Sequence, residues 1–210
     1  MDLQTALAWA PTLGHAGVTA IMGLGLAATC GLRAFLPLLA VNVLALTGMV
    51  ELDGPFVFMG TWQATLMFGL ATIAELSADK FPGVDHFMDA FGTVARPTAA
   101  AVAASSMVAW YDPLAAVALG LIGGATVAGG VQLVKAKVRL ATSALTAGTG
   151  NWAVSLTEDA AAIGTIALAV AAPLLFGAVA STALALVAIL FAMRHQRKEL
   201  ALVRARAAAA

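Results

Sequence analysis

Residues 14–49 read GHAGVTAIMGLGLAATCGLRAFLPLLAVNVLALTGM. Their single formal charge is Arg33, and Pro37 follows it closely. A helix rises about 1.5 Å per residue and a bilayer core is about 30 Å thick, so one crossing takes roughly 17–25 apolar residues. The run is too long for one crossing. It predicts two, about 14–31 and 34–49, joined by a tight turn at Gly31-Leu32-Arg33. The same pattern also suits one broken helix that re-enters the membrane from a single side.

The whole chain agrees with this reading. Of its 210 residues, 61% are hydrophobic and 10% are charged, against about 25% charged in a soluble domain. This composition argues against a water-soluble enzyme, a nucleic-acid binder and a disordered scaffold, and for a protein whose partner is the lipid bilayer. The lone Cys30 lies inside the apolar run and reads as a small core residue. Asp2 is the only charge before Arg33, so the basic start of a cleaved signal peptide is missing.

Further spans are predicted at 62–78, Pro97–Trp110, 114–134, 158–171 and 174–193. Residues 83–96 read as amphipathic or irregular. Asp112-Pro113 is a turn signal. Residues 135–157 are mixed, and Ala141–Asn151 reads either as a flexible loop or as unwound backbone of the kind transporters use to meet a substrate. The fold class is thus an all-α polytopic transmembrane helical bundle of about seven spans, or six if the Arg33 break is re-entrant. A single domain is expected over 1–193, with a basic Ala-rich tail at 194–210. So many helices in a 21.1 kDa chain make a homo-oligomer, a dimer first, a reasonable expectation.

The 11 Lys and Arg balance the 11 Asp and Glu, but they are not scattered. With the tail in the cytoplasm, every basic residue falls on the inner side, at Arg33, Lys80, Arg96, Lys135, Lys137, Arg139 and in the tail. The outer segments 1–13, 50–61, 111–113 and 171–173 hold only Asp2, Glu51, Asp53 and Asp112. This is the positive-inside pattern, with Trp9, Trp62, Trp110 and Tyr111 as an outer aromatic belt. It predicts the N-terminus outside and the C-terminus inside.

Ionisable residues at membrane depth are costly and mark functional sites. Glu75 and Asp79 are spaced for one helix face, as are Asp85 and Asp89, with His86 beside them. Glu158-Asp159 opens the expected sixth span, where a helix N-terminus favours anions. These seven residues form the candidate substrate or ion site. Glu75, Asp79, Asp85 and Asp89 are the oxygen ligands a divalent cofactor such as Mg²⁺ or Mn²⁺ would choose. Arg33, Lys80, Arg96, Lys135 and Arg139 would compensate them or meet an anion. The plainer reading is that these groups only pair with one another. No GxSxG, P-loop, HExxH, CxxC or dinucleotide motif appears, which points away from an enzyme.

A weak internal repeat sets Gly31-Leu32-Arg33 and Gly48 against Leu133-Val134-Lys135 and Gly150, and Glu75/Asp79 against Glu158/Asp159. Three blocks carry a resemblance: residues 23–39, residues 75–93 with Arg96-Pro97, and residues 135–159. The middle one contains Ala78-Asp79-Lys80-Phe81-Pro82-Gly83-Val84-Asp85-His86. They resemble a bacterial membrane family, domain of unknown function 4126, although Gly150-Asn151-Trp152 stands where the family often has Gly-Asn-Pro. The resemblance implies a polytopic bacterial membrane protein and supplies no activity; the expected location is the bacterial inner (plasma) membrane. A fainter similarity links Glu75 and Asp79-Lys80 to the Glu-x-Gly-Asp-Lys motif of membrane cation exchangers, with one residue more between them.

On these residues the expected function is a small transporter or channel-like protein with a cytoplasm-facing acidic site for cations or protons. One alternative is a membrane enzyme or flippase that holds a phospholipid or polyprenyl-phosphate headgroup through the basic residues. Another is a scaffold or assembly factor without a substrate.

Overall fold

The Arg33 break and the layer it opens organise the molecule. The computed structural model describes residues 3–78, 84–146 and 149–208; side chains of 1–11, 13, 84–89 and 197–208 lie outside the description. Helix α1 spans Leu3–Cys30 and α2 spans Phe35–Leu46. A 3₁₀ segment, Gly54–Gly60, leads to α3 (Trp62–Ala78), and α4 follows at Val84–Ser106. Then α5 (Pro113–Ala118) passes through a π-helical segment, Leu119–Gly124, into α6 (Ala125–Thr146). Helix α7 is Asn151–Ala171 and α8 is Pro173–Ala208. No strand occurs among the described residues.

The architecture is a helical membrane bundle. Pro113–Thr146, Asn151–Ala171 and Pro173–Gln196 are each long and apolar enough to cross a membrane. The 3₁₀ segment and α3, bent by 74° against each other, add a fourth such stretch if taken together. Gly14–Cys30 and Phe35–Leu46 are shorter apolar helices. At 12 residues, α2 rises only about 18 Å, well short of the bilayer core. It stops early because Gly48, at φ +71°, takes the left-handed conformation. Met49 N–H then bonds Leu44 O and Gly48 N–H bonds Ala45 O, the Schellman closure of a helix end.

Helix α1 is the axis. It packs against α2, α4, α6, α7 and α8, while α3 leans on α2. Small residues allow the close approach. A Cβ on Gly31 would lie 2.6 Å from Ala128 O of α6, and one on Gly124 would lie 2.7 Å from Ala100 O of α4. Met22, Leu26, Leu38, Val41, Phe68, Ala100 and Met107 share one core. At one end of the bundle, the ring of His15 lies 4.9 Å from that of Trp110, and Asp112 caps α5 by accepting from Ala115 N–H at 2.6 Å. Arg33, Glu75, Lys135, Arg139, Glu158 and Asp159 gather toward the other end.

Two expectations need correction. From Val84, the segment before Pro97 and the span from Pro97 are one continuous helix, α4, with Pro97 inside it; Gly83 lies outside the described residues. Proline removes one helical hydrogen bond, but buried packing against α1 and α6 holds the helix through it. The mixed stretch 135–157 is likewise helical up to Thr146 and again from Asn151, with Ala147 and Gly148 outside the described residues. Its threonines and serine gave a loop signal but bond locally instead. Thr142 and Thr146 hydroxyls donate to Val138 O and Thr142 O, and Ser143 and Asn151 bond each other at 3.1 and 3.0 Å. Helix α7 therefore starts at Asn151, and Glu158 sits two turns inside it rather than at its N-terminus. At that depth the Glu158 carboxylate is not held by the positive end of the helix dipole, which acts within the first turn.

Candidate functional site: a buried charge layer

The backbone break between α1 and α2 exposes polar groups that a membrane interior cannot hydrate. Both sides of it are closed by charged side chains from elsewhere. Glu75, near the end of α3, accepts from Ala34 N–H at 2.8 Å and from Phe35 N–H at 3.1 Å. It thus caps α2 with a carboxylate, where the helix dipole favours one. Lys135 of α6 donates to Leu32 O at 3.1 Å.

Arg33 itself is fully buried. Its Nε donates to Asp159 at 2.8 Å and its Nη2 lies 2.6 Å from the same carboxylate oxygen. Nη2 also donates to the Ser155 hydroxyl at 3.1 Å. Glu158, one turn along α7, lies 3.8 Å from Arg33. It accepts from Arg139 through both oxygens, at 3.2 and 2.9 Å, and pairs with Lys135 at 3.0 Å. One carboxylate thus faces three cations, at 7% exposure.

The helix periods explain the convergence. Lys135 and Arg139 are four apart on α6, and Ser155, Glu158 and Asp159 fall on one face of α7. The short turn between these helices brings the faces together. Arg96 is buried in α4, one turn beyond Gly92 and Thr93, where the Gln132 amide of α6 donates to Gly92 O at 3.2 Å and accepts from Thr93 N–H at 3.3 Å.

Of the sequence-derived candidates, Arg33, Glu75, Lys135, Arg139, Glu158 and Asp159 therefore meet around the break, with Arg96 buried alongside. Asp79 and Lys80 lie outside the described residues. Asp85, His86 and Asp89 have helical backbone in α4, and their side chains lie outside the description. Among the described residues no three His, Cys, Asp or Glu side chains gather as a metal site. The proposed repeat pairs Arg33 with Lys135, yet the first sits in a break and the second in an unbroken helix.

Ser155 was missed in the sequence, although its i, i+3, i+4 relation to the two acids was visible. So was a second buried polar knot. Asn42 of α2 donates to Met59 O and Thr61 O at 2.6 and 3.0 Å and accepts from Thr65 Oγ1 at 2.8 Å. It ties α2 to α3 at the end remote from Glu75.

Beside the charge layer lies a cavity of about 1150 Å³ between α1, α6, α7 and α8. Lys135 and Glu158 are the charged residues on its wall.

Residues 20–194 match the family model "Domain of unknown function (DUF4126)". The chain belongs to this family. The match covers every residue of the charge layer, so in this DUF4126 chain the layer lies within the family's own domain and not in an appended segment. No match is found among curated proteins or among solved structures.

Proposed function

We propose that the protein is a small membrane transporter that moves an anion together with a proton, and that Lys135, Arg139 and Glu158 are its working centre. The observation that carries this reading is the Glu158 carboxylate, buried, shared by Arg139 and Lys135, and on the wall of a cavity.

Removing one partner of a buried ion pair leaves an uncompensated charge and costs several kcal/mol. Protonating Glu158 does the same to Lys135 and Arg139 unless another anion takes its place. An incoming anion meets the mirror-image difficulty while Glu158 is ionised. Each ligand therefore favours the other, and by linkage the coupling is reciprocal. Arg33 with Asp159, and Glu75 on the α2 amides, act as fasteners that hold the break during the exchange.

A bare cation is supported less well, because each described carboxylate of the layer already faces a cation or backbone N–H groups. Of the expected divalent-cation ligands Glu75, Asp79, Asp85 and Asp89, Glu75 is engaged through both oxygens by Ala34 and Phe35 N–H, so binding of Mg²⁺ or Mn²⁺ by the other three is a separate proposal. Titration with Mn²⁺ followed by electron paramagnetic resonance tests it, and an unbroadened, fully aqueous Mn²⁺ spectrum refutes it.

The transport reading is tested with proteoliposomes of total bacterial polar lipid loaded with a pH-sensitive dye. After an external acid pulse, the wild-type protein should speed internal acidification over empty liposomes, and Glu158→Gln should abolish the gain. Equal rates for wild type and empty liposomes, or for wild type and variant, refute it.

A further inference from the structure

Helix α6 reaches the charge layer through a wide turn. From Leu119 to Gly124 the backbone is π-helical, and Ala125 N–H bonds Gly120 O, five residues back. An α-helix bonds four back, so this turn holds one residue more. Such single wide turns inside α-helices are frequent at functional sites. Helix α4 crosses here, and Ser105 Oγ donates to Ala116 O at 2.8 Å. A Cβ on Gly120 would lie 2.5 Å from Ala101 O, and one on Gly124 would lie 2.7 Å from Ala100 O. The close crossing thus requires glycine at both ends of the wide turn.

The crossing does not account for the residues that follow. When the extra residue leaves the turn, each residue beyond it moves one place along the helix, about 100° and 1.5 Å. Gly123 then takes the place of Gly124, Gly129 that of Gly130, Val134 that of Lys135 and Val138 that of Arg139. The sequence of α6 fits both settings. Each gives the α4 crossing its glycine, and each cation that α6 offers Glu158 is preceded by a valine. Lys135 and Arg139 move to the exposed places of Ala136 and Leu140. Against this, Val127 replaces the fully buried Ala128, and Gln132 lets go of Gly92 and Thr93. Those losses weight the equilibrium toward the setting seen.

We infer that the wide turn is a register switch: it travels down α6 toward Thr146, and Val134 and Val138 replace Lys135 and Arg139 beside Glu158. Helix register shifts of this kind take microseconds to milliseconds. Glu158 faces Lys135 and Arg139 from α6, Arg33 from the α1–α2 junction at 3.8 Å, and has Asp159 beside it on α7. In the second setting it keeps Arg33, which Asp159 also binds, and loses both α6 cations. A buried charge stripped of its partners is costly. A proton on Glu158 and the second setting therefore favour each other. The inference rests on the transport reading and supplies its movement, the step by which a proton on Glu158 frees Lys135 and Arg139.

Two variants hold the first setting. Deletion of Ile122, whose side chain is exposed, removes the extra residue and leaves the helix on either side in its present place. Gly123→Ala fits as the chain stands, since its Cβ would meet only the side-chain ends of Leu24 and Leu119, at 3.1 and 3.5 Å. In the second setting that Cβ would stand against Ala100 O. Gly129→Ala is the control, because a Cβ at its own place or at that of Gly130 meets nothing within 4 Å. Register is read by fluorine magnetic resonance from a trifluoroethylthio label on Leu133→Cys, Cys30 being fully buried. Leu133 is exposed now and moves in the second setting to the place of Val134, on the cavity wall.

The otherwise unaltered chain should show a second label environment, as a separate resonance or as relaxation dispersion. Glu158→Gln should raise its population about fivefold or more. The deletion and Gly123→Ala should lose that environment and the proton flux while melting no lower, and Gly129→Ala should keep both. A single environment with and without Glu158→Gln overturns the inference. So does a second environment that survives in Gly123→Ala, or proton flux that survives in either locked variant. A second environment that grows in Glu158→Gln and vanishes in the locked variants, with no Glu158-dependent proton flux, would instead leave the switch standing and overturn the transport reading.

Discussion

At the scale of single residues, the decisive group is Glu158. Its carboxylate compensates cations from two other elements, α6 and the α1–α2 break. Glu158→Gln keeps the shape and removes the charge, so it should lower unfolding stability in detergent by about 3–5 kcal/mol. Lys135→Met in the same chain removes one of the stranded cations and should recover part of that loss, a non-additivity of about 0.5–3 kcal/mol. Purely additive effects in thermal unfolding would show that the pair is not coupled. The sequence made Arg33, Lys135, Arg139, Glu158 and Asp159 visible because charges in apolar runs stand out. It did not say that Glu158 would be shared, since the pairing depends on the register of α6 against α7. Ser155 was missed for a different reason: its spacing to Glu158 and Asp159 was visible, but a serine in an apolar helix has no assigned partner until the Arg33 guanidinium is seen beside it.

At the scale of elements, small residues set how closely helices meet. A Cβ on Gly124 would press on Ala100 O and Ala104 Cβ of α4, whereas one on Gly129, a turn later, meets nothing within 4 Å. Gly124→Ala should therefore cost about 1–3 kcal/mol by overpacking. Gly129→Ala should be neutral or stabilising by up to about 1 kcal/mol. Thermal melts of the two variants give the comparison, and equal melts would contradict the close α4 crossing. Glu75 acts on an element in another way, by holding the first amides of α2. Glu75→Ala should leave Ala34 and Phe35 N–H groups exchanging with solvent deuterium much faster, and unchanged exchange would remove the capping role. The break itself was legible from Gly31-Leu32-Arg33. The continuity of α4 through Pro97 and of α6 to Thr146 was not, because proline, glycine and threonine carry the same local signals whether or not tertiary packing overrides them.

At the scale of the molecule, the one-sided distribution of charge has a structural counterpart. Arg33, Glu75, Lys135, Arg139, Glu158 and Asp159 meet in one layer, while His15, Trp110 and Asp112 mark the opposite end. Sidedness in the membrane then becomes a direct experiment. Cys30 is fully buried, so single cysteines can be added without removing it. Asp53→Cys should react with a membrane-impermeant maleimide from outside intact cells, and Lys137→Cys only after permeabilisation. Labelling of both from the same side would overturn the orientation expected from the basic residues. Composition and charge placement made the helical membrane class plain, and they placed the charged end. They could not reveal the cavity, whose walls are assembled from α1, α6, α7 and α8 together.

The closure of the Arg33 break also has a consequence in time. Lys135, which satisfies Leu32 O, lies 103 residues downstream of it, and Asp159 follows Arg33 by 126. At a synthesis rate of about 5–20 residues per second, α1 and α2 leave the ribosome roughly 5–25 s before the groups that neutralise their junction. During that interval Arg33 has neither Ser155 nor Asp159 to meet. The α1–α2 pair is therefore expected to reach its final depth only together with α6 and α7: a nascent chain stalled before Glu158 should stay extractable from the membrane and open to proteolysis, and one stalled beyond α7 should not.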